Sequence, residues 1–107
     1  MAASFGSKGL FLSTEKTVTA AGTAEALLAF GDVRDRWRAV TLIMKAGNTG
    51  KVYIGGADVG SSTNDGLSAG DVLDLGKDSQ SSHIFDLADI FIDVDTSGEG
   101  VDIYCTL

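Results

Sequence analysis

Residues 36–55 read RWRAVTLIMKAGNTGKVYIG, and they decide the fold class. In an extended chain successive side chains point to opposite faces. Val40, Leu42 and Met44 therefore share one face, and Trp37, Ala39, Thr41 and Ile43 the other. Both faces are apolar near the middle, as in a strand covered on both sides. Gly47, Asn48 and Gly50 tolerate left-handed backbone angles, so AGNTG reads as a turn. KVYIGG then returns as a strand, and the expectation is a β-hairpin over residues 36–55.

The same alternation extends toward the C-terminus. ADVGSSTNDGLSAGD (57–71) is a long polar loop whose Ser, Asn, Asp and Gly residues oppose regular structure. DVLDLG and HIFDL are short strands separated by the turn residues KDSQSS. In DIFIDVD (89–95), Ile90, Ile92 and Val94 face one way, with Asp89, Phe91, Asp93 and Asp95 on an expected wet, acidic face. After TSGEG, VDIYCTL turns Val101, Ile103, Cys105 and Leu107 inward and Asp102, Tyr104 and Thr106 outward. A second hairpin is expected from these last two strands.

Toward the N-terminus, GTAEALLAF (22–30) has the Ala and Leu content of a helix, but two flanking glycines leave little room for one, and a strand is expected. EKTVTA (15–20) is β-branched and weakly alternating. Residues 1–12 read as an irregular arm carrying three large apolar groups, Phe5, Leu10 and Phe11. The arm lies either on its own core or on a neighbouring subunit. The sum is about eight short strands with turn signals roughly every 8–12 residues. That makes an all-β chain, a single antiparallel β-sandwich over residues 13–107 behind the arm.

With 107 residues, the chain suits one domain. Its 14 glycines and lack of proline suit many tight turns. A formal net charge of −7 argues against nucleic acid, which needs clustered cations. The one basic cluster, Arg34, Arg36 and Arg38 around Trp37, is interrupted by Asp32 and Asp35. It reads as a solvated strand face or as a contact with an acidic partner. A single cysteine, Cys105, excludes an intrachain disulfide and falls in step with buried positions as a packed thiol. No stretch has the roughly 20 apolar residues of a membrane span or the apolar run of an export signal. The expectation is a protein made in the cytoplasm and kept there unless carried out inside a larger particle.

No catalytic constellation emerges. His83 is the only histidine, so any Ser-His or Cys-His pair would have to use it; it reads as an exposed strand-end residue. No phosphate-binding loop occurs, and one Cys with one His makes no zinc set. Asp93-Val94-Asp95-Thr96-Ser97-Gly98 matches the opening of a helix-flanked calcium loop, but its twelfth position, where a bidentate glutamate is required, is Tyr104. A looser calcium site of Asp93, Asp95 and Glu99 competes with a solvated acidic face. The reading is a non-enzymatic structural or binding protein without cofactor or metal.

The segment VTLIMKAGNTGKVYIGGADV (40–59) resembles a pattern of small virion proteins of tailed bacteriophages: an apolar strand, a turn with Asn and Gly, then an aliphatic-Tyr-aliphatic-Gly-Gly strand. LSAGDVLDL and DLADIFIDVDTSGEGVDIYCTL are similar to the later strands of those domains, so the likeness covers residues 38–107. It implies a β-sandwich, often jelly-roll-like, on a phage head, neck or tail. By size, capsid decoration (cement) proteins fit best, commonly homotrimers that bind the major capsid protein on the outer shell. Candidate contacts are Phe5, Leu10 and Phe11 of the arm, Arg36, Trp37 and Arg38, and Asp58, Asn64 and Asp65 of the long loop; Trp37 reads equally as core. The alternatives are a neck, tail or fibre component, or a carbohydrate-binding module using Phe91, Tyr104 and Tyr53.

Overall fold

The computed structural model describes residues 11–28, 36–75 and 85–106. Among these there is no helix. Nine strands form: β1 (Phe11–Thr17), β2 (Glu25–Ala26), β3 (Arg36–Trp37), β4 (Ala39–Met44), β5 (Val52–Gly55), β6 (Val72–Leu75), β7 (Phe85–Asp86), β8 (Phe91–Val94) and β9 (Gly100–Thr106). All pair antiparallel. The larger sheet has the order β1-β9-β4-β6, the smaller one β2-β8-β5, and β3 and β7 make a separate ribbon. The chain is all-β, as its alternation requires.

One core lies between the sheets. Val40, Leu42 and Met44 of β4 and Val101, Ile103 and Cys105 of β9 are fully buried from the larger sheet. Val52, Ile92 and Val94 meet them from the smaller one, and Val18, Leu27, Trp37 and Leu87 belong to the same buried cluster. Each fully buried aliphatic side chain contributes roughly 1.5–3 kcal/mol. Trp37 is 1% exposed, so of its two readings the core one holds.

Both expected hairpins are overturned. β4 pairs with β6 and β9, whereas β5 pairs with β8. β8 in turn lies in the smaller sheet and β9 in the larger. Residues 45–51 and 95–99 are therefore arches that carry the chain from one sheet to the other. The physical reason lies in how their polar groups are satisfied, since the first arch bonds both to the second and to Gly100 at the start of β9. Asn48 Nδ2 donates to Gly100 O at 2.9 Å, and Gly100 N–H donates back to Asn48 Oδ1 at 3.3 Å. Asp95 N–H donates to Lys51 O at 3.0 Å, and Lys51 N–H to Asp95 Oδ2 at 3.1 Å.

Other boundaries shift too. Phe11 and Leu12, assigned to the arm, are the first residues of β1, held opposite Thr106 and Cys105. Of the described part of the expected strand over 22–30, residues 22–28, Glu25 and Ala26 form the strand pairing, opposite Ile92 and Phe91. Residues 1–10, with Phe5 and Leu10, lie outside the described residues, as do His83 and Leu107.

Candidate interaction surface

In an antiparallel pair, residues directly opposite share a face of the sheet, so the register of the larger sheet gives its outer surface row by row. The first row is Phe11, Thr106 and Ala39; the second is Ser13, Tyr104, Thr41 and Asp74; the third is Glu15, Asp102, Ile43 and Val72. The exposed large apolar side chains of the described residues are Phe11 (54%), Val72 (54%) and Tyr104 (38%). All three stand on this one face. Phe11 and Tyr104 are diagonal cross-strand neighbours, within contact range for aromatic side chains. Tyr104 leads diagonally to Ile43, which is half-buried and opposite Val72. The result is an apolar stripe from a corner of β1 to β6.

Carboxylates flank the stripe on both sides. On one side Lys45 Nζ bridges Asp102 Oδ1 at 2.6 Å and Glu15 Oε1 at 2.5 Å. The Asp102 and then the Glu15 hydrogen bond hold this ammonium above its ordinary pKa, so it stays charged. On the other side Asp74 Oδ1 accepts the Thr41 hydroxyl at 2.8 Å and is exposed. Four strands about 4.8 Å apart and three rows about 6.8 Å apart give a plateau of roughly 400 Å².

The remaining candidate residues lie elsewhere. Arg38 is exposed at the end of the β3 ribbon, its N–H donating to Thr106 O at 3.1 Å. Arg36 pairs with Asp86 along the backbone of that ribbon. Asp58, Asn64 and Asp65 are exposed on the loop after β5. That loop folds back so that Leu67 and Val52 exchange backbone hydrogen bonds of 2.8 and 2.9 Å. Asn64 and Asp65 thereby rim an open groove of about 280 Å³ floored by Val52, Ile54, Leu67 and Leu73. Among the described residues, Phe11 is the one candidate contact that reaches the stripe. Tyr104 and Val72 were missed as a pair with it, because only the β1–β9–β4–β6 order brings them together; the signal present in the sequence was the outward phase of Tyr104.

The acidic residues of β8 and the following arch hold backbone. Asp93, expected on a wet face, is 5% exposed; its Oδ1 accepts Gly22 N–H at 2.9 Å and Val94 N–H at 2.8 Å. Asp95 accepts the Tyr53 hydroxyl at 2.9 Å, which raises the Tyr53 pKa. Glu99 accepts Thr49 N–H at 2.7 Å, the Thr49 hydroxyl at 2.9 Å and Gly50 N–H at 3.0 Å. The Gly50 N–H, followed by the Thr49 groups, holds the Glu99 carboxyl below its ordinary range. Among the described residues no three of the His, Cys, Asp and Glu side chains converge as a metal-binding group. Cys105 is buried, and burial alone pushes its thiol up to about 12, far from a nucleophile's range. The aromatics considered for carbohydrate separate: Tyr53 is buried and Phe91 half-buried in the smaller sheet, while Tyr104 stands on the larger. They form no common platform. No family model matches this sequence, and comparison with curated proteins and with solved structures gives no match.

Proposed function

We propose that this chain is a non-enzymatic structural protein of a tailed-bacteriophage virion, a decoration protein that seats on the major capsid protein through the outer face of its larger sheet. The observation that carries the reading is the stripe of Phe11, Tyr104 and Val72, exposed together on one face. Isolated exposed apolar residues are ordinary, but a contiguous stripe with a polar rim has the make-up of a protein-contact site. The resemblance over residues 38–107 supplies the class of particle and the jelly-roll-like topology, both part of the proposal.

Size supports a repeated partner. A plateau of roughly 400 Å² is about half the area that one side of a standard stable interface buries. A single copy held by this face alone binds weakly, and assembly on a lattice raises its effective affinity. A capsid offers such a lattice.

The test is retention on particles. Heads and tails purified from the phage that encodes this chain are washed, pelleted and assayed for the protein by mass spectrometry. Wild-type protein added to stripped heads pellets with them, and Phe11→Ser/Tyr104→Ser stays in the supernatant with its fold intact by circular dichroism. Protein found on tails and not on heads would replace decoration by the neck, tail or fibre role. Protein found on neither would overturn the virion reading.

A further inference from the structure

We infer that the occupant of the stripe is a protein surface with apolar side chains flanked by lysine or arginine on both sides, and that a second copy of this chain is excluded there. This rests on the proposed docking role and specifies the partner's chemistry. The argument is one of charge. The face presents the carboxylates of Glu15, Asp102 and Asp74, with Lys45 as the cation among its described residues, already shared between two of them. Two such faces brought together would set net-negative margins against each other, because Lys45 is already held by Glu15 and Asp102, and like-charge juxtaposition of this kind suppresses a pairing. The chain as a whole, at −7, adds repulsion of the same sign.

A basic partner meets the opposite situation. Asp74 spends one oxygen on the Thr41 hydroxyl, and an exposed carboxylate has further lone pairs for an incoming cation. Glu15 is 65% exposed at its side chain and Asp102 39%, so both also remain reachable beside Lys45. Apolar side chains fill the diagonal between, against Phe11, Tyr104 and Val72. The two-sided flank also sets orientation: a partner with cations on one side only leaves Asp74 or the Glu15–Asp102 pair facing an uncharged surface.

The experiment is a titration of isotopically labelled protein, followed by NMR, with a peptide of alternating lysine and leucine and, separately, with its glutamate–leucine counterpart. The lysine peptide moves the amide signals of Phe11, Thr41, Val72, Asp74 and Tyr104, and its affinity falls about tenfold when salt is raised from low to physiological strength. Asp74→Lys weakens that binding about tenfold and leaves the unfolding transition in place, since Asp74 is an exposed edge residue. Equal binding of the glutamate peptide, or shifts confined to another face, would overturn the assignment. So would a concentration-dependent dimer in sedimentation that Phe11→Ser abolishes, because a second copy would then be the occupant. Failure of the peptide titration with retention on heads intact removes the partner chemistry alone; loss of head retention removes the docking role.

Discussion

At the scale of single residues, Gly100 is the glycine with the tightest backbone approach among those described. A Cβ placed there would overlap the Lys16 carbonyl and lie 2.7 Å from Thr17 Cα, both backbone atoms of the neighbouring strand β1. Backbone cannot swing aside as a side-chain tip can, so strand pairing itself must yield. Gly100→Ala is expected to lose about 3 kcal/mol or more, read from urea unfolding. Gly47→Ala, where a Cβ meets nothing within 4 Å, is the control and stays within about 1 kcal/mol of the wild type. Gly50 repeats the logic at the arch crossing, with Asp95 Cβ 2.7 Å from its would-be Cβ. Cys105 shows the opposite kind of constraint, a site defined by volume and dryness, and its place in the Val101–Ile103–Cys105 alternation made that readable from the sequence.

At the scale of elements, the arches hold the sheets in register through carboxylates. Glu99 is depressed in the folded state from an ordinary value of 4.5. A depressed acid stabilises the fold above its unfolded value, and that contribution is lost as pH falls through the lower, folded value. Urea midpoints should therefore decline on the acid side of 4.5, and Glu99→Gln should lower the midpoint at neutral pH while making the acid decline shallower. The strands themselves were legible, because β4 and β9 alternate without interruption. Their partners were not. AGNTG and TSGEG carry the residues of hairpin turns, but the deciding bonds, Asn48 with Gly100 and Glu99 with Thr49 and Gly50, join segments about 50 residues apart in sequence. Local turn chemistry carries no trace of them. Asp93 misled for a related reason: its phase along β8 is outward, and the approach of the Gly22 loop and of Gly60 from the loop after β5 covers it.

At the scale of the whole molecule, the stripe emerges from strand order alone. Phe11 was visible as an apolar residue near the N-terminus and Tyr104 as an outward aromatic, yet nothing local sets them on adjacent strands beside Val72. The proposed decoration role implies a homotrimer, and a trimer that keeps this face for the shell must join through other surfaces. Light scattering behind a sizing column is expected to give three chains of 11.0 kDa per particle, with the same mass for Phe11→Ser. A monomer, or a mass that falls with that substitution, would contradict the arrangement.

The position of β9 carries a consequence for how the protein is made. β9 lies between β1 and β4, and it is the last described strand to leave the ribosome. Until it emerges, β1 has no neighbour among the described strands and β4 lacks one of its two. At about 5–20 residues per second, the interval between release of β1 and release of β9 is roughly 5–20 s. The nascent chain therefore carries Val40, Leu42, Met44 and Val52 through several seconds of synthesis with the larger sheet unfinished. Soluble yield should then respond to chaperone supply and growth temperature more than the thermodynamic stability of the finished sandwich would suggest.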